Sequence, residues 1–163
     1  MKRILFAFAA CLLALSCTIT TMDDTVDNTM IVGGNTYYNV LPLYTIQEGY
    51  VNIDINHPAG GDDIHGYGGF SAAAIGRTID ADNASEADKI LLMSFNFLSG
   101  AYYDMALVSG TQSVRRDGNN LIVRIDGRDA NGKRFFLNAY VYDEAEFWAA
   151  HPGGVDARWE PGL

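Results

Sequence analysis

The stretch SGTQSVRRDGNNLIVRIDGRDANGKRFFLNAYVY, Ser109 to Tyr142, decides the fold. In Leu121 to Asp126, Leu121, Val123 and Ile125 share one side, with Arg124 and Asp126 on the other. In Arg134 to Tyr142, Phe135, Leu137, Ala139 and Val141 alternate with Phe136, Asn138, Tyr140 and Tyr142. A period of two means a strand with one buried and one wet face. Asp117-Gly118-Asn119-Asn120 and Gly127 to Lys133 separate these runs, and Gly and Asn accept the positive φ that tight hairpins need. Consecutive strands joined this closely are antiparallel neighbours. Tyr102 to Val108 and Thr111 to Arg116 are predicted as two further strands, turned at Ser109-Gly110.

The same signals continue toward the N-terminus. Leu91, Met93, Phe95 and Phe97 form one face of Lys89 to Phe97, and Ser94 and Asn96 mark the other. Asp80 to Asp88 is polar and reads as a loop or short helical turn. Gly69 to Ile79 is a further predicted strand. Tyr50 to His57 alternates Val51, Ile53 and Ile55 against Asn52, Asp54 and Asn56. Met30 to Val32 and Thr36 to Leu41 flank a bend or bulge at Gly33-Gly34. The expected fold is therefore all-β, an antiparallel β-meander of about eight strands. Alternation is the same in a sandwich and in an up-and-down barrel, so both stay open. Glu144 to Ala150, EAEFWAA, is predicted as a short C-terminal helix within an extension covering 144–163.

The N-terminus reads as an export signal. Met1-Lys2-Arg3 is positive, and Ile4 to Ser16 is an uncharged run of thirteen residues. A bilayer span needs about 20 apolar residues, whereas a secretory signal core is shorter. Leu13-Ala14-Leu15-Ser16-Cys17 resembles a lipobox, in which the Cys is acylated and becomes the new N-terminus, although Leu15 is bulkier than the usual small residue. The chain has two cysteines, Cys11 and Cys17, so the exported part has neither disulfide nor thiol. The predicted organisation is a signal peptide over 1–16, lipidated Cys17 with a flexible acidic tether over 17–29, and an all-β domain over 30–143. Asp24-Thr25-Val26 matches a short O-glycosylation pattern, which a plain linker also satisfies.

Signal, Cys17, acidic tether and β-domain together resemble the small lipid-anchored envelope lipoproteins of Bacteroidetes. Ser109 to Phe135 resembles their strand-turn-strand pattern, with a G-(S/T)-x-V strand, a DGN turn and a D-x-x-G-K turn. The resemblance implies an exported, envelope-anchored protein, with the outer membrane as its expected location. It implies no catalytic residue.

Formal net charge is −9, and removing the signal's Lys2 and Arg3 leaves −11. Such a charge repels phosphate backbones and anionic headgroups, so no nucleic-acid partner is expected. There is no GxSxG, GxGxxG or P-loop, and thiol catalysis has no residue in the exported part. No enzyme activity and no cofactor are expected. His57, Asp62, Asp63 and His65 cluster in HPAGGDDIHGYGG and are the ligand types of transition metals, but their spacing fits no motif and an exposed loop explains them equally. Asp126 to Gly132 lacks the alternation of a calcium loop. The more informative set is Arg124, Phe136, Asn138, Tyr140 and Tyr142 on one face of the last hairpin. Rings there can stack on sugar C–H faces while amides and charges take hydroxyls, although cross-strand pairing alone would also place them so. The expected function is a non-catalytic cell-envelope lipoprotein that binds a glycan or small molecule. The alternative is a structural subunit that joins a protein partner through a strand edge.

Overall fold

The computed structural model describes residues 25–56 and 64–155. Ten strands lie among them: β1 Thr29–Val32, β2 Asn35–Tyr37, β3 Leu41–Gln47, β4 Tyr50–Asn56, β5 Ile64–Ser71, β6 Arg77–Asp80, β7 Leu92–Phe97, β8 Tyr102–Asp117, β9 Asn120–Asp129 and β10 Arg134–Asp143. The helix α1, Glu144–Ala150, follows directly, with the Asp143 side chain accepting from the Glu146 amide. Cys17 and the signal, His57, Asp62 and Asp63, and the end of the C-terminal extension fall outside the described residues.

Seven strands close into a barrel in the order β10-β3-β4-β5-β7-β8-β9 and back to β10. Of the two architectures left open by alternation, the chain adopts the barrel. Six joints are antiparallel. The seventh, β10 to β3, is parallel and only two residues long, Tyr142 to Leu43 and Asp143 to Tyr44. It is short because the β1-β2 hairpin occupies the same edge of β10 at Phe136 to Asn138. β6 likewise pairs outside the ring with β8.

Two predicted strands are one. Tyr102–Val108 and Thr111–Arg116 form the continuous sixteen-residue β8. Instead of reversing at Ser109-Gly110, the chain slips register between Leu107 and Ser109 in a bulge. Gly110 has φ +105°, and a Cβ there would stand 2.2 Å from the Asp126 carbonyl oxygen. Its lack of a side chain lets β8 press against β9 while bending from one wall of the barrel to the other. True reversal occurs at Gly118-Asn119, where Gly118 has φ +60° at the first central position of a two-residue hairpin.

Gly69 to Ile79 is also corrected. β5 ends at Ser71, whose hydroxyl caps a 3-10 turn over Ala72–Ala74 before β6 begins. Three successive alanines carry neither alternation nor β-branching to hold a strand. Thr36 to Leu41 splits at Asn39, φ +54°. Asp80 to Asp88 is, as its polar composition indicated, a loop with a short helical turn, the 3-10 helix Ala84–Lys89.

The predicted inward residues meet in the barrel. Val51, Ile53, Ile55, Met93, Phe95, Leu121, Val123, Ile125, Phe135, Leu137, Ala139 and Val141 form one cluster with Met30, Val32 and Phe70. Phe95 and Phe135 pack with ring centroids 5.9 Å apart. Gly66 makes room for Phe95, since a Cβ there would lie 2.5 Å from that ring. Outside, Phe147 of α1 packs on Leu41, Leu43 and Tyr142 and covers the short parallel joint.

Two buried amides complete the framework. Gln112 faces inward from β8, accepts from the Leu91 amide at 2.8 Å and donates to the Lys89 carbonyl at 2.7 Å. Asn28, grouped with the tether by its composition, is fully buried at the head of β1. Its amide donates to the Val40 carbonyl at 2.9 Å and accepts from the Tyr140 amide at 2.9 Å. Asn28 thereby bridges the point where β10 exchanges β1 for β3.

Candidate ligand-binding face

The outer wall formed by β4, β5, β7 and β8 is a grid whose columns follow from register. Asn52, Gly69, Leu92 and Ala106 stand in one row, and Asp54, Tyr67, Ser94 and Asp104 in the next. Gly69 is the floor. A Cβ there would lie 2.1 Å from the Val51 carbonyl oxygen and 2.6 Å from the Tyr50 ring, so β4 closes in and the Tyr50 ring lies over the vacant position. A Cβ on Gly68 would meet the Leu92 carbonyl oxygen at 1.9 Å on the other side. The consecutive glycines thus draw three strands together and leave an open depression of about 420 Å³. That volume falls within the roughly 300–1,000 Å³ of small-ligand sites.

Its walls are amphipathic. Tyr67 is 57% exposed and Leu92 51%, unusual for large apolar groups at the middle of a sheet. Asn52, Ser94 and Asp104 supply polar groups. The Ser94 hydroxyl donates to Asp104 at 2.6 Å, and bonds from Ser94 and Tyr102 hold the Asp104 carboxyl below the usual carboxylate range. Burial, with a smaller contribution from the Tyr67 phenol, pushes Tyr50 up. At the rim, His65 Nε2 lies 3.0 Å from Asp54 Oδ2, and the Asn56 amide donates to Asp54 at 2.6 Å.

The residues singled out by sequence lie on the opposite wall, on its outer side. The interior is filled with apolar side chains, so this face lines no internal cavity. Arg124, Phe136 and Asn138 come together there with Thr78, Thr111, Ser113 and Asp126 around a smaller depression of about 260 Å³. Arg124, Phe136 and Asn138 each have an intramolecular partner. Arg124 Nε donates to Asn138 at 3.2 Å, and the Asn138 amide donates to the Thr25 carbonyl and Asp27 carboxylate. Arg134 grips Asp126 with two bonds of 2.9 and 2.8 Å and covers the Phe136 ring. Tyr140 and Tyr142 stand apart from the depression. Their rings stack with centroids 6.2 Å apart, Tyr140 donates to Asp117, and Tyr142 packs on Phe147.

Of the metal candidates, only His65 lies among the described residues, on β5 and paired with Asp54. Among the described residues no three His, Cys, Asp or Glu converge as a metal site. In the turn from Asp126 to Gly132, Asp129 is spent on its own hairpin. It accepts from the Asn131 and Lys133 amides and from the Tyr103 hydroxyl at 2.6 Å. Burial, then the bond and charge of Asp129, push Tyr103 up to about 12. A phenol raised in the folded state contributes stability that is full below its unfolded value, about 10, and is lost as pH rises toward 12. Urea unfolding at pH 8, 10 and 11.5 should show wild type losing stability more steeply than Tyr103→Phe over that window, by about one proton's worth of slope. Parallel slopes would show that Tyr103 ionises freely.

The architecture is thus a closed seven-stranded barrel with a strand hairpin and a helix laid over its weakest joint. No known protein family, curated protein or solved structure matches this chain.

Proposed function

We propose that the chain is a non-catalytic binding module, exported and lipid-anchored to a bacterial envelope through Cys17, that holds a saccharide on the outer face of β4, β5, β7 and β8. The supporting observation is the Gly69 floor, with exposed Tyr67 and Leu92 and the Tyr50 ring around it and Asn52, Ser94 and Asp104 in reach. Aromatic faces carry negative charge density that attracts the polarised C–H groups of a pyranose, and acceptors beside them take its hydroxyls. The filled interior favours a surface ligand over an enclosed apolar one.

The test titrates the mature chain, residues 17–163, against a saccharide panel by calorimetry. Tyr67→Ala should weaken binding at least tenfold, about 1.4 kcal/mol, and leave the melting temperature nearly unchanged because the ring is exposed. Tyr140→Ala should bind as wild type does. The reverse pattern would move the site to the Arg124 wall. The subunit reading takes second place: the exposed edges β2 and β6 are three and four residues long and offer few backbone groups for a partner strand.

A further inference from the structure

Charge is unevenly placed around the barrel. Eight Lys and Arg lie among the described residues. Six belong to β8 beyond its bulge, β9, and the β9-β10 hairpin. The other two, Arg77 and Lys89, are tied to Glu86 at 3.0 and 3.3 Å. None of the eight lines the depression over Gly69. Asp104 stands in it, and Asp54 stands beside Tyr67 in the neighbouring column, with His65 against it. The ionised Asp104 carboxylate only accepts hydrogen bonds, so it matches ligand hydroxyls and ammonium groups and opposes ligand carboxylates.

We infer that Asp104 sets the charge selectivity of this face: it takes uncharged or amine-bearing saccharides and rejects carboxylated ones. The inference rests on the saccharide reading of the face and adds the class of saccharide. A carboxylate about 5 Å from Asp104 in a water-like dielectric is disfavoured several-fold and an ammonium favoured several-fold, a spread of about tenfold between them. Salt shrinks that spread, because the carboxylate is exposed to screening.

A glycan array carrying matched neutral, amino and carboxylated oligosaccharides, probed with the mature chain, tests it. At about 20 mM salt the amino members should bind about tenfold more tightly than the carboxylated ones, with neutral members between. At about 500 mM salt the spread should fall below about threefold. Asp104→Asn keeps an oxygen for Ser94 and should collapse the order of amino, neutral and carboxylated members even at low salt. Equal binding of carboxylated and neutral members, or an unchanged order in Asp104→Asn, overturns the charge assignment and leaves the saccharide reading standing. Absence of binding to every member overturns both.

Discussion

Asn28→Ala should lower the unfolding free energy by about 3–4 kcal/mol and the melting temperature by about 10 °C. The side chain is fully buried and does the work of a missing strand residue. It satisfies the Tyr140 amide and the Val40 carbonyl, while its own carbonyl accepts from the Val40 amide at 3.0 Å. Alanine leaves the Tyr140 and Val40 groups without their partner, and each buried orphan costs roughly 1–3 kcal/mol. A second contribution is conformational. Asn28 sits at φ +49°, a region that Asn tolerates and Ala does not. Asn28→Gly separates the two, because it frees the backbone but restores no bond. Urea unfolding should therefore find the Gly variant no more than about 1 kcal/mol better than the Ala variant. A Gly variant close to wild type would assign the effect to backbone strain.

Gln112→Leu should cost about 2–4 kcal/mol although the two side chains are similar in size and the site is fully buried. A sequence-level view of an inward position would expect a gain from the swap. The loss arises because Gln112 ends the chain's climb from the 3-10 helix into β7: without it, the Leu91 amide and Lys89 carbonyl face an apolar wall. Gln112→Glu sharpens the test. Its carboxylate could still accept from Leu91 but would oppose the Lys89 carbonyl. Burial raises that carboxyl, so its contribution is present below the unfolded value and is lost as pH rises through the folded one. The Glu variant should therefore unfold more readily, relative to wild type, at pH 7 than at pH 4. Unfolding of Gln112→Leu at the wild-type urea midpoint would show that the bonds add nothing net.

The barrel was legible wherever alternation was clean. Val51-Ile53-Ile55, Leu121-Val123-Ile125 and Phe135 to Val141 all face inward as their period requires. It was less legible where a single residue has two uses. Gly110 serves equally as a turn or as a bulge, and only the facing carbonyl of Asp126 decides. Asn28 looks like tether, and composition cannot show that its amide, or that of Gln112, closes a gap in backbone pairing. The parallel joint of β10 with β3 joins residues about a hundred apart and has no local signature. The candidate site was hidden for a related reason. Asn52 and Ser94 were on the wet side of their predicted strands, Tyr67 lay in a stretch read as a loop and Asp104 on a strand with no face assigned, and only the register between three hairpins assembles them over Gly69. The Arg124 set was visible because its members lie on one hairpin.

The path of the first described residues has a mechanical consequence. Thr25 and Asp27 lie against Asn138, and Asn28 locks into β10 immediately afterwards. Tension applied through the N-terminus would therefore enter the barrel at Asn28, on the wall away from Tyr67 and Gly69. From there it would pass mainly through the eight-residue register of β10 with β9, since the joint with β3 is two residues long. A domain held from this end and loaded by a ligand on the far wall would stretch across its best-paired strands, and its first yielding point would be the Asn28 lock and not the binding surface.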